Sequence, residues 1–192
     1  MLRELMCFRN CHKNQCILHL LLVLFLCIGC GENKHKENIR IRDFYLEKRN
    51  DSLYDLVIKT DSLMDVWELP YPVYQFQVGD IDNNGKKDAM VGVIKKTRFD
   101  SVVRKRLFIF KNYKGYVRPL WLGSALGQPL VDFNFHDTDE AIIRSVEREK
   151  LGTFLVAEYR WRRFGLEFVR YLGREMDSIT AINMLAISKD KP

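Results

Sequence analysis

From residue 53 onward the apolar residues fall in short runs separated by Gly, Pro, Asn and Asp, and most runs alternate apolar with polar. That period of two places successive side chains on opposite faces of a sheet. Runs 53–60 and 63–69 flank Asp61-Ser62 and predict a hairpin. Helical spacing competes there, because Leu53, Leu56, Val57, Met64 and Trp67 would share one face of a helix. The turn residues favour the hairpin. Further strands are predicted at 74–81, 88–95, 106–112, 116–122, 130–136, 141–147, 153–162 and 166–172. Val, Ile, Phe, Tyr and Trp dominate them, as suits half-buried strands. Pro119 has no amide hydrogen, which assigns 116–122 to a sheet edge. Residues 96–105 read as a long charged connection. The tail, 177–188, carries Ile179, Ile182, Leu185 and Ala186 after an Asp-Ser cap and predicts a short amphipathic helix.

A faint repeat runs through these strands. Phe76-Gln77-Val78-Gly79-Asp80 matches Phe133-Asn134-Phe135-His136-Asp137, and Val117-Arg118-Pro119-Leu120 matches Val169-Arg170-Tyr171-Leu172. The offsets approach the length of a four-stranded propeller blade. A closed propeller needs about four to eight blades. The expected fold is therefore mainly β: antiparallel sheets resembling two to three propeller-type blades, left open, with a short C-terminal helix.

The N-terminal segment obeys a different pattern. An apolar stretch from Cys16 to Gly29 follows a short positive segment with Arg3, Arg9 and Lys13. It is short for a membrane span, which needs about 20 residues, and has the layout of a signal peptide. All five cysteines lie at or before Cys30. Leu26-Cys27-Ile28-Gly29-Cys30 resembles the lipobox of bacterial lipoproteins, although Cys27 departs from the usual Leu or Val. The resemblance implies that residues 1–29 are removed and that Cys30 carries lipid. Residues 30–42 read as a tether, and 43–192 as one β-rich domain without a disulfide framework or a thiol nucleophile. The expected place is the bacterial cell envelope, with the outer membrane favoured and the membrane reached through Cys30.

Charge adds little at this stage. Beyond Cys30, 28 Lys and Arg face 24 Asp and Glu. Basic runs at 104–106 and 160–163 sit beside aromatics, an arrangement that can stack on nucleic acid. A secreted chain gives little occasion for that, and basic residues also guard strand edges. No nucleic-acid partner is expected; acidic lipid head groups or glycans are the secondary option.

One stretch carries chemistry. Asp80-Ile81-Asp82-Asn83-Asn84-Gly85-Lys86-Lys87-Asp88 has the pattern D-x-D-x-N-G-x-x-D. Oxygen donors at positions 1, 3, 5 and 9, with a glycine turn and the carbonyl at position 7, suit a hard cation such as Ca²⁺. The candidate ligands are Asp80, Asp82, Asn84, the Lys86 carbonyl and Asp88. An EF-hand would need Glu at position 12, where Val91 stands. A bare Asn-Gly turn is the simpler alternative. With Phe76, Gly79, the run 89–92 and the strand 107–112, the stretch 74–112 resembles the FG-GAP or VCBS-type repeat, a propeller-blade unit with a calcium loop in its hairpin. The resemblance implies an ion that braces the hairpin. Asn84 for Asp, and the neighbouring Lys86 and Lys87, imply weak affinity, on the order of 10⁻⁴–10⁻³ M. Asp137 and Asp139 of the second unit are followed by Glu140 and Ala141, so no second site is expected.

Catalytic motifs do not assemble. Beyond Cys30 the histidines are His35 and His136, and the sequence has no H-E-x-x-H, P-loop or G-x-G-x-x-G. Acids for a glycan hydrolase could be drawn from Asp132, Glu158 and Glu167, but their spacing in three dimensions decides that chemistry. Trp121, Tyr159, Trp161 and Phe164 offer a possible binding surface. The expectation is a non-catalytic, lipid-anchored envelope protein whose calcium-braced β domain binds a protein or glycan; the alternative is a small carboxylate-dependent glycan hydrolase.

Overall fold

The computed structural model describes residues 44–137 and 140–186. The expected signal peptide, tether and Cys30 lie outside the described residues, as does Asp139. Three antiparallel sheets follow one another along the chain. The first contains β1 (Tyr45–Asn50), β2 (Leu53–Lys59) and β3 (Met64–Leu69). The middle sheet contains β4 (Val73–Gly79), β5 (Asp88–Thr97), β6 (Asp100–Tyr113) and β7 (Tyr116–Leu122). The last contains β8 (Leu130–Asp137), β9 (Ala141–Arg148), β10 (Phe154–Arg162) and β11 (Gly165–Met176). Helix α1 (Ser178–Ala186) closes the described part. Each sheet is an up-and-down meander with neighbours in chain order, and the set does not close on itself.

The layers pack in chain order. Leu56, Ile58 and Leu69 of the first sheet meet Val91, Phe108 and Phe110 of the middle one. The opposite face of the middle sheet offers Met90, Leu107 and Ile109 to Phe133, Ile143 and Leu155 of the last. Val146 and Val156 on the far face of the last sheet receive Ala181 and Leu185 of α1. The middle sheet is thus covered on both faces. That explains why β5 opens with a continuous apolar run, Ala89 to Val93, where a half-exposed strand would alternate.

The two four-stranded sheets give the repeat a structural meaning. Its first half lies at the ends of β4 and β8, the first strand of each sheet; its second half lies in β7 and β11, the fourth strand of each. The copies also touch. Gln77 donates to Asn134 Oδ1 at 2.6 Å and accepts from the Phe135 amide at 2.7 Å. Pro119 lies in an edge strand, as its missing donor requires.

Three expectations need correction. β1 was not foreseen, because four of its six residues are exposed and it carries no burial pattern. Residues 96–105 are not a loose connection: β5 and β6 run through them and turn at Arg98-Phe99, where Thr97 pairs with Asp100. The helix buries Ala181 and Leu185, while Ile179 and Ile182 are exposed. A small residue at Ala181 lets the helix approach the sheet closely. The cap itself is as expected, with Asp177 accepting from the Ile179 and Thr180 amides.

Candidate metal site

The acidic loop joins β4 to β5 and is fixed at three places. At its entrance, a Cβ on Gly79 would lie 2.0 Å from the Phe135 ring, so the close approach of the middle and last sheets requires glycine there. Inside the loop, Ile81 is buried among the core residues shared by those sheets. The carboxylates of the flanking Asp80 and Asp82 lie on the loop side, close to that of Asp88. At its exit, Asp88 begins β5 and is fully buried.

Backbone amides shape the turn between these anchors. Asp80 accepts from the Asn84 amide at 3.0 Å and from the Gly85 amide at 2.7 Å, one on each carboxylate oxygen. Asn84 Oδ1 accepts from the Lys86 amide at 2.9 Å. Asn83 and Gly85 take positive φ of 56° and 80°; Asn and Gly are the residues that tolerate that region best. Asp88 Oδ2 accepts from the Ile81 amide at 3.1 Å.

Three carboxylates result in one place. Asp80, Asp82 and Asp88 each bring an oxygen within 4.8 Å of the others. Oxygen ligands 2.3–2.6 Å from a shared Ca²⁺ fall within that separation. Asp82 Oδ1 and Asp88 Oδ1 are buried and lack hydrogen-bond partners. An orphaned buried carboxylate oxygen is costly, and a cation would satisfy both. Burial, then the Asp82 charge, pushes the Asp88 carboxyl up to about 7; the Ile81 amide opposes this and Asp80 adds to it. The three acids could therefore hold a metal ion. Asn84 lies in the same turn, with one lone pair committed to the Lys86 amide.

The aromatic candidates divide. Trp121 and Trp161 meet edge to face, with ring centroids 6.5 Å apart, and Trp121 packs over Gly165. Phe164 is exposed at the β10–β11 turn beside them. Tyr159 does not join this surface. It is only 4% exposed, and its hydroxyl donates to Glu147 and accepts from the Gly127 amide, so it belongs to the core. A cleft of about 300 Å³ lies between the acidic loop and β10, lined by Ile81, Asn83, Arg160, Trp161 and Arg162 among others. It brings the acidic loop, through Ile81 and Asn83, and one tryptophan to the same opening.

The candidate acids have other partners. Glu158 is buried between Arg144 and Arg170, at 2.9 and 2.7 Å. Burial pulls its pKa upward, but Arg170 and Arg144 outweigh this and leave it lowered. Exposed Glu167 is held low by Arg162 and Arg160. Asp132 accepts from the Phe133 amide. Sequence reasoning missed the network around fully buried Glu147, which accepts from Ser145, Tyr159 and the Gln128 amide. Burial raises its pKa against those bonds. Its only sequence signal was an acid within the strand predicted at 141–147.

No family model matches the chain, and neither a curated protein nor a solved structure does. Among the described residues no helix is long and apolar enough to cross a membrane.

Proposed function

We propose that this chain is a non-catalytic lipoprotein of the bacterial envelope, anchored through lipid on Cys30 and placed at the outer membrane, whose β domain is braced by Ca²⁺ and binds a glycan or protein. The observation that carries the reading is the juxtaposition of the acid triad, Asp80, Asp82 and Asp88, with the cleft beside Trp161. Ca²⁺ would neutralise the crowded carboxylates and hold the loop that forms one wall of the cleft. Asn84 and the Lys86 carbonyl complete the ligand set. Trp161 gives the other wall a flat apolar face on which a sugar ring stacks. Trp121 and Phe164 extend that surface.

The catalytic alternative draws less support. Glu158 and Glu167 are each held by two arginines, which favours the ionised form and opposes a proton-donating role.

Two measurements test the proposal. Metabolic labelling with a fatty-acid analogue should mark the wild type and not Cys30→Ala; equal labelling removes the anchor. Glycan-array binding of the full chain should increase with Ca²⁺ and be lost in Trp161→Ala. If neither glycans nor envelope proteins are retained with Ca²⁺ present, the binding role fails.

A further inference from the structure

β5 and β6 outrun the sheet that contains them. β4 pairs with β5 only as far as Val93, and β7 pairs with β6 only as far as Phe108. Beyond these points Ile94 pairs with Lys105, Lys95 with Arg104 and Thr97 with Asp100, without a flanking strand on either side. The base of the ribbon is held, because the Ile94 amide donates to the Pro72 carbonyl and Arg106 reaches Asp100, but the turn at Arg98-Phe99 lies beyond the last pairing of both flanking strands. A lone two-stranded ribbon is marginal in water.

Its side chains do not suit water alone. Phe99 is 92% exposed, Val103 64% and Val102 52%. Val102 and Val103 are consecutive and both exposed where the pairing of the two strands shifts register, so the tip carries three exposed apolar side chains among its charges. The ribbon is also the most cationic part of the chain. Residues 95–106 hold six Lys and Arg against one acid, a net of +5, while the whole chain carries +6. Asp100 is taken by Arg106 and Arg104. Lys95, Lys96, Arg98 and Lys105 have no carboxylate partner among the described residues. Lys95 and Lys105 lie over the rings of Tyr71 and Tyr74, at 4.2 and 4.3 Å from the centroids.

We infer that this ribbon is a membrane-docking arm that inserts Phe99, Val102 and Val103 into the surface of an anionic bilayer while Lys95, Lys96, Arg98, Arg104 and Lys105 contact acidic head groups. Apolar tips with flanking cations match both layers of such a surface: side chains enter the acyl boundary, and long basic stems carry their charges back to the phosphates. Each basic residue near an anionic leaflet adds attraction that falls within a Debye length. A nucleic acid would satisfy the cations but offers the two valines nothing. The arm requires no lipid on Cys30, so it stands apart from the anchoring proposed above.

The test uses the full chain carrying Phe99→Trp, with the unaltered chain as the tryptophan background. The added indole reports only on the arm, whatever else holds the protein to the bilayer. In vesicles of phosphatidylcholine with about 30 mol% phosphatidylglycerol, its emission should shift to the blue and be quenched by brominated acyl chains. Neither should occur with phosphatidylcholine alone. Lys96→Glu with Arg98→Glu and Lys105→Glu should weaken the quenching about tenfold or more, and high salt should reduce it. All three positions lie outside the core, and an unchanged circular dichroism spectrum confirms folding. An indole that stays in water with the anionic vesicles overturns the inference. So does one shielded by an oligonucleotide in preference to them.

Discussion

Asp88 and Glu158 pose the same physical problem and meet opposite solutions. Both are buried carboxylates, one on the first residue of β5 and one within β10. Glu158 is met inside the fold by two arginines, and its pKa is lowered despite burial. Asp88 has two backbone amides, and the charges that act on it are the carboxylates Asp82 and Asp80. A fold that supplies cations for one buried acid and crowds acids around the other separates a self-sufficient structural set from a cluster that could hold a cation. Removing the charge should therefore have opposite consequences at the two places.

The larger effect belongs to Glu158. Glu158→Gln leaves Arg144 buried without its carboxylate, although the Met184 carbonyl still accepts from it. Stranding one member of a buried pair costs about 3–5 kcal/mol, and the contacts Arg144 keeps place this case toward the lower end of that range. Urea denaturation should show the loss equally with Ca²⁺ and with chelator. A loss that disappears on adding Ca²⁺ would mean that the two acids belong to one system.

Asp88→Asn should behave in the opposite sense. The amide oxygen can still accept from Ile81, while one of three crowded charges is gone. In chelator the variant should melt above wild type, by on the order of 1 kcal/mol. With 1 mM Ca²⁺ the order should reverse. An ion held at about 10⁻⁴ M stabilises the wild type by about 1.4 kcal/mol at that concentration, and the variant forfeits most of it. Asp82→Ala should also lose the calcium-dependent rise while keeping the fold, because Asp82 lies in the loop outside the strands. If wild type shows no rise over an ionic-strength control, the loop is a turn and the contrast with Glu158 loses its meaning.

What the sequence disclosed of these features follows from how local their physics is. The loop was legible because all its donors lie within nine residues at a spacing that curls onto one point. Most strands were legible because burial of one face imposes alternation, and the doubly buried β5 showed itself as a continuous run. β1 and the arm were not legible, since neither has a core to impose a pattern. Tyr159 and Trp161 lie two residues apart and share one face of β10, but Tyr159 pairs with Ile143 inside the sheet whereas Trp161 lies beyond the last β9 partner, and the loop at 123–129 that covers Tyr159 and Glu147 left no signal in the sequence. The Arg144–Glu158–Arg170 set draws its members from three strands, so no spacing rule could have assembled it.

The smallest effect concerns a proton in the last sheet. His136 of β8 is buried, and its Nε2 lies 3.0 Å from the Leu185 carbonyl of α1. The charged groups that act on it are Arg144 from β9 and Glu158 from β10. Burial first, and Arg144 second, lower its pKa against the opposing pull of the Leu185 carbonyl and Glu158. The folded state therefore binds a proton less readily than the unfolded chain, whose histidines titrate near about 6.5. The resulting stability is fully present above that value and declines as pH falls through it toward the folded pKa. Asp88 complicates the same window with the opposite sign. Its carboxyl, raised to about 7, gains a proton more readily when folded, so ion-free wild type gains stability there as pH falls. The measurement therefore belongs in the Asp88→Asn chain. Between pH 7.5 and 5.5 its melting temperature should fall by a few degrees, and adding His136→Gln should flatten that slope. A slope unchanged by His136→Gln would show that the sheet tolerates a further positive charge beside Arg144. The last sheet would then not be the cation-sufficient partner that the comparison with the acidic loop requires.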